Sequence, residues 1–405
     1  MRTLPLRVLA AFLGLFMLLV PAEAATAHKR KRAKKSPAKI AQPVKRPPNA
    51  AKALRKRKTV KRASSSGTYL LPGASHISNG PWLEPTHVAD NTSGDVIDGE
   101  DLTVRRAAVA ALGDMNGTVV VADPTSGRIL SIVNQKLAFR PGYQPCSTIK
   151  IVAALAGLSE NVIDRDTNVH LYGRLSMNLT NALAHSNNNY FANVGMKLGY
   201  DKVNYYARLF GLGEKAGLNI PEEQAGSLPD GPPENGGMAM MTSFGEGITL
   251  TPLELTALVS SIANGGTLYY LQHPRSTAEV KDFVPRVKRR LPIQDKIADL
   301  VPGMSGAVEF GTARRASYDT NEQIFGKTGT CTDRNSPTHL GWFGSFNTVG
   351  DRKLAVIVLL TGGKGVSGPI ASGVAGQVYH NLAEQKFFLT SKPISPVALI
   401  NGTVW

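Results

Sequence analysis

Apolar positions along this chain follow two rhythms. In "GTVVVADPTSGRILSIV", residues 117–133, two runs rich in Val and Ile flank the turn residues "DPTSG", and the pattern predicts a β-hairpin. Three more such runs, "QIFGKTGTC", "THLGWFGSF" and "KLAVIVLLTG", follow one another between residues 323 and 362. Between the two groups the rhythm is helical. "CSTIKIVAALAGL" (146–158) opens a helix, residues 179–213 are helical except at the polar stretch "HSNNN", and residues 252–264 carry a proline start and an Asn-Gly-Gly stop. A last helix spans about 370–383. Strands at both ends with helices between them predict an α/β chain of the α+β type. Its sheet is built from both ends, with a helical insertion. Residues 68–103 are rich in turn residues, show no sustained period and read as an irregular lead-in.

The first 67 residues break with this pattern. Arg2 and Arg7 precede an apolar run over residues 8–20, interrupted only by Gly14, and "PAEA" follows with small residues at Ala22 and Ala24. The run is shorter than the ~18 residues of a membrane-spanning helix. Residues 1–24 read as a secretory signal peptide cut after Ala24, with an uncleaved anchor as the alternative. Export places the protein in the periplasm or elsewhere in the cell envelope.

Residues 25–67 hold 16 Lys or Arg and no Asp or Glu. Charge of one sign, with Pro and Ala and few large apolar residues, cannot bury a core, so a disordered basic tail is expected. The chain counts 46 basic and 30 acidic residues, a net charge of +16. Without the tail, and without the leader's two Arg and one Glu, 28 basic and 29 acidic residues remain. The high charge therefore belongs to the tail. In an exported protein its expected partners are anionic lipid headgroups or acidic wall polymers, not nucleic acid, and a solvated tether is the alternative. Positive charge directly after an apolar run also favours keeping that side in the cytoplasm, so leader and tail pull the topology in opposite directions.

Candidate chemistry begins at "PCSTIK". Ser147 and Lys150, three residues apart, are neighbours on one helix face. The helix they open is apolar nearly all round, the mark of a buried helix. An ammonium there is poorly solvated, its neutral form gains ground, and the amine becomes a base for a serine nucleophile one turn away. At the helix N-terminus Ser147 also stands among unpaired N–H groups that stabilise developing negative charge. Alone, S-x-x-K reads rather as a capping serine followed by a snorkelling lysine. Two further groups change that. Ser186 and Asn188 stand in the polar break. "FGKTGTC" puts Lys327, Thr328 and Gly329 on a strand, where the first two can hold a carboxylate and Gly329 lets a ligand backbone come close. S-x-x-K, S-x-N and K-T-G, in that order, form the set found in penicillin-recognising serine enzymes.

From about Val104 to Leu382 the chain closely resembles the transpeptidase domain of penicillin-binding proteins. The likeness takes in "ALAHSNNNYFANVGMKLG", "SFGEGITLTPLELTALVSSIANGG", "GTA" (311–313) and "GKTGT" with "HLGWFGSF". It implies a domain over 104–390, followed by an extension at 391–405, and a largely antiparallel sheet flanked by helices with an all-helical subdomain. It implies Ser147 as the acylated nucleophile, Lys150 as its base and Ser186 as the group that passes a proton to the leaving amine. Asn188 would bind the peptide amide, Lys327, Thr328 and Thr330 the substrate carboxylate. The N–H groups of Ser147 and Thr330 would form the oxyanion hole. The implied partners are peptidoglycan stem peptides ending in D-Ala-D-Ala, and β-lactams as covalent inhibitors. No cofactor is expected, and no metal motif appears: the eight His are scattered and H-E-x-x-H does not occur.

The resemblance also implies a disulfide between Cys146 and Cys331. Cys331 follows "KTGT" directly, on the strand that flanks the nucleophile if Thr330 shares its oxyanion hole, and some class A carbapenem-hydrolysing relatives carry a bridge at this pair of positions. Export permits the oxidation; two unpaired thiols are the alternative. The chain departs from the family pattern at Cys146, where glycine is common. It has no stretch long enough for a glycosyltransferase domain, and its lead-in is short for a pedestal domain.

Two rival functions keep the fold. A serine β-lactamase needs a deacylation base. The class D route, a carboxylated lysine, goes with an apolar residue where Asn188 stands. The class A route uses a glutamate after the second motif, where Glu214, Glu222 and Glu223 lie. A β-lactam-sensing binding module is the other rival, and the intact set of catalytic side chains argues against it. Transpeptidation and D,D-carboxypeptidation share the acyl-enzyme, and the sequence does not separate them.

Overall fold

The first and last strands of the sheet lie side by side at its centre. In the computed structural model, β1 (Gly117–Ala122) pairs with β2 (Ile129–Val133) on one side and with β9 (Ala355–Gly362) on the other, Val119 standing opposite Val358. β8 (His339–Asn347) and β7 (Ile324–Thr332) extend the sheet in the order β2-β1-β9-β8-β7, every neighbour antiparallel. Two short pairs stand apart: β3 (Val169–Tyr172) with β4 (Leu175–Met177), and β5 (Thr267–Tyr269) with β6 (Val287–Arg290). The structure describes residues 83–319, 322–333, 337–348 and 352–389. The expected leader, basic tail and C-terminal extension lie outside these residues.

The continuous apolar reading of β1 and β9 follows from two covered faces. Side chains alternate across a strand, so a strand buried on both faces needs apolar residues throughout. Val119, Val121, Val356 and Val358 pack in one core with residues of α1 (Leu102–Leu112) and α10 (Gly368–Glu384). Val120, Ile357 and Leu359 enter the other core, with α3 (Lys150–Ser159) and α7 (Pro252–Ala263). The remaining helices are α2 (Gln135–Ala138), α4 (Leu179–Ala184), α5 (Asn188–Leu209), α6 (Gly237–Phe244), α8 (Thr277–Lys281) and α9 (Gln294–Glu309). α7 starts where its sequence says it should: Thr251 and Glu254 form a capping box, with Pro252 in the first turn.

Two elements differ from expectation in detail. The first helix is split, with a tight 3-10 turn over Cys146–Ile149 and α3 beginning at Lys150. The polar break between α4 and α5 covers only residues 185–187, because Asn187 caps α5 through Tyr190 N (2.9 Å) and Asn188 is already helical. A run of asparagines looks like a loop in sequence but here supplies a helix start.

The described part of the lead-in, from residue 83, is irregular up to Asp101, which caps α1. It is nonetheless wired into the core. Glu100 accepts from Ser131 Oγ (2.8 Å), Ile132 N (2.9 Å) and Arg105 (3.0 Å), and meets His273 Nε2 at 3.1 Å. Asp95 takes the other arm of Arg105 at 2.7 Å. Burial alone would push the Glu100 carboxyl up; hydrogen bonds from His273, Ile132 and Ser131 and the charge of Arg105 outweigh it and hold the group below its ordinary value.

Candidate active site

Five elements bring the three motifs together: the 3-10 turn, α3, the α4–α5 break, the start of α5, and β7. Lys150 begins α3 and has no exposure at all. Its Nζ lies 2.9 Å from Ser147 Oγ, 2.9 Å from Ser186 O, 3.0 Å from Ser186 Oγ and 2.5 Å from Asn188 Oδ1. The rings of Phe191 and Phe244 stand 5.8 and 5.9 Å from the same nitrogen. An ammonium has three N–H donors, and here four oxygens compete for them. A neutral amine instead turns a lone pair to the Ser147 hydroxyl. Burial, and secondly the charge of Lys327, push Lys150 well below its ordinary value of 10.5.

Lys327 is the second lysine with no exposure. Its Nζ donates to Ser186 Oγ (2.8 Å) and to Thr328 O (2.9 Å). Burial pushes it down to about 7. No carboxylate is among the partners of either lysine within the described residues. Two buried amines thus share one hydroxyl, an arrangement able to take a proton from Ser147 and pass it on through Ser186.

Backbone geometry supports the site in a way the sequence did not announce. Cys146 has φ 51° and Ser186 has φ 55°, left-handed values that cost a non-glycine residue about 1–2 kcal/mol. The value at Cys146 explains why glycine suits this position. Cys146 and Cys331 stand at disulfide distance, with Cα atoms 5.5 Å apart, so the turn before Ser147 lies against the end of β7. Gly329 is also approached closely from within the protein. A Cβ there would come within 3.0 Å of Pro145 O and 3.2 Å of Thr148 Cγ2. Its missing side chain makes room for the turn that carries Ser147. Thr330 is exposed on β7, the edge strand, and its hydroxyl accepts from Gly368 N at 2.8 Å. The first N–H groups of a 3-10 turn have no acceptor within it, and Ser147 is at this end.

The glutamates considered as deacylation bases have other partners. Glu214 pairs with Lys288 and Arg289, Glu222 with Arg275, and Glu223 accepts from Ala216 N and Gly217 N. Sequence reasoning gave no role to Phe244 or to Thr312, which hydrogen-bonds Thr328; "GTA" was the only signal for the latter.

A buried serine–lysine pair, a second serine, an asparagine and a lysine on an edge strand are thus gathered in one place. The family model of the penicillin binding protein transpeptidase domain matches residues 117–384, and the chain belongs to that family. Stage V sporulation protein D of Bacillus subtilis (strain 168) is 28% identical over 283 residues, 61% of this chain and 43% of that protein. Penicillin-binding protein H of the same organism is 28% identical over 279 residues, 56% of this chain and 39% of its own. Peptidoglycan D,D-transpeptidase PbpA of Mycobacterium tuberculosis (strain ATCC 25618 / H37Rv) is 25% identical over 316 residues, 62% of this chain and 63% of its own. The match thus spans less than two thirds of each relative. The crystal structure of the D,D-transpeptidase domain of a peptidoglycan glycosyltransferase from Eggerthella lenta superposes with a TM-score of 0.57 at 20% identity, over 71% of this chain and 82% of that one; the likeness is one of fold.

Proposed function

We propose that the protein is a penicillin-binding serine acyltransferase, a D,D-transpeptidase or D,D-carboxypeptidase acting on stem peptides that end in D-Ala-D-Ala. The observation that carries this reading is the meeting of all three motifs around Ser186 Oγ, with Lys150 Nζ 2.9 Å from Ser147 Oγ. Ser147 Oγ attacks the carbonyl between the two D-alanines while its proton passes to Lys150. The N–H groups of Ser147 and Thr330 receive the oxyanion. Ser186 delivers the proton to the departing D-alanine amine, and an ester on Ser147 remains. An amine of a second stem peptide, or water, then takes the acyl group. Lys327, Thr328 and Thr330 hold the terminal carboxylate. Bound there, the carboxylate favours the charged form of Lys327, which sits at about 7 without it. Asn188 accepts from Lys150 through Oδ1, which leaves the N–H donors of its amide for the peptide carbonyl.

The same reading takes Cys146–Cys331 as a disulfide of an exported, oxidised protein, residues 1–24 as a leader cleaved after Ala24, 104–390 as the transpeptidase domain, and the 25–67 tail as its link to anionic lipid or wall polymer. The test is incubation with a fluorescent penicillin, following label retention and drug hydrolysis together. Mass spectrometry should find one adduct, on Ser147, and none in Ser147→Ala. A stable label supports the acyltransferase; rapid drug turnover would make the protein a β-lactamase, and an adduct elsewhere would overturn the mechanism.

A further inference from the structure

The turn after α9 reaches across to the strand motif through one side chain. Thr312 Oγ1 lies 2.6 Å from Thr328 Oγ1. Its backbone N–H donates to Ala184 O at 3.2 Å, two residues before Ser186, and its hydroxyl stands 3.5 Å from that same carbonyl. The turn sits tightly there: a Cβ on Gly311 would fall 2.2 Å from Ala184 O. Ala313 is fully buried and its N–H donates to Ala307 O at 2.7 Å, which fixes the backbone on the other side.

Each hydroxyl has a single proton to give and two lone pairs. At 2.6 Å the two threonines share one strong hydrogen bond, while 3.5 Å to an already engaged carbonyl is at the limit of one. The pair has two orders. If Thr328 donates to Thr312, it has no proton left for a ligand. If Thr312 donates to Thr328, the Thr328 proton is free, and the bond it receives polarises it into a better donor. A carboxylate only accepts, so it selects the second order.

We infer that Thr312 is a positioning residue for recognition of the substrate carboxylate, donating to Thr328 so that Thr328 donates to the ligand. This rests on the reading above in which the β7 threonines hold that carboxylate. Thr312 does not touch the reacting bond. Its effect belongs to ligands that carry the carboxylate and not to acylation in general.

The experiment compares acylation by benzylpenicillin and by its methyl ester, each in competition with a fluorescent penicillin. In Thr312→Val the preference for acid over ester should fall roughly 3- to 10-fold, the size of one lost neutral hydrogen bond. Thr312→Ser should restore it. If Thr312→Val does not fold, as judged by circular dichroism, Thr312→Ala carries the same comparison. An unchanged preference, an equal loss for acid and ester, or a failure of Thr312→Ser to restore it would overturn the inference. Absence of labelling in the wild-type protein would instead bring down the acyltransferase reading on which it rests.

Discussion

Lys150 and Lys327 point two buried amines at the same oxygen: Ser186 Oγ lies 3.0 Å from one and 2.8 Å from the other. Two ammonium charges meeting there, without a carboxylate among their described partners, repel each other, and burial disfavours both. The pair therefore gives up a proton easily, and Lys150 is the one in reach of Ser147. Lys150→Arg should stay folded and lose acylation by about 10²–10⁴-fold, because a guanidinium remains charged and cannot act as the base. Stopped-flow labelling with a fluorescent penicillin measures this; a wild-type rate in the arginine variant would refute the role.

The coupling has a sign that can be checked. Burial is the larger cause of the Lys150 shift and Lys327 the smaller. Lys327→Met removes only the second, so the Lys150 pKa should rise part of the way back and the acid limb of the acylation profile should move to higher pH. A limb that stays in place or moves down would show that the two lysines are not coupled. The wild-type protein should also gain stability as pH climbs from about 7 towards 10.5. Across that window folded Lys327 binds fewer protons than an unfolded lysine, and below it the cost of burying the charged form is fully present. Lys327→Met should flatten this rise in urea denaturation curves.

The cysteines carry two separable effects. Titration of the denatured, non-reduced protein should find no free thiol; two per chain would rule the bridge out. Cys331→Ser should then cost about 2–4 kcal/mol in denaturant unfolding. Once the bridge is gone, the positive φ of Cys146 favours glycine. The double variant Cys146→Gly/Cys331→Ser should therefore exceed Cys146→Ala/Cys331→Ser in stability by about 1 kcal/mol. The reverse order would show that the turn relaxes to a negative φ without the bond.

How much of this was legible depended on whether the signal was local. Ser147 and Lys150 are one turn apart in an apolar run, and the order of the three motifs carried the rest. The five sheet strands and α7 could be read from apolar runs and punctuation. The ion cluster of the lead-in could not: Glu100 and His273 are far apart in sequence and neither lies in a periodic stretch. Gly329 was read as a place of close approach, but the approach of Pro145 and Thr148 from within the protein was not foreseen, because a missing side chain does not say what fills its space. Nor does a sequence report that Cys146 and Ser186 adopt left-handed backbone.

Residues 25–67 should be dispensable for the chemistry. A chain beginning at Ser66 should be acylated at the full-length rate and bind vesicles containing anionic lipid, or isolated wall material, less tightly, with the difference shrinking as salt is added. Equal binding of the two forms would leave the tail as a tether only.

The central pairing of β1 with β9 has a consequence in time. Val119 cannot meet Val358 until the more than two hundred residues between them have been synthesised. Until then the hairpin of β1 and β2 keeps an open apolar edge, and the site has its serine and base but not the strand that completes it. Contacts between segments so distant in sequence make folding slow, and in a chain of this size partly assembled intermediates are common. Because β7 joins β1 only through β8 and β9, the docking of β9 is what links the strand motif to the first hairpin within the sheet.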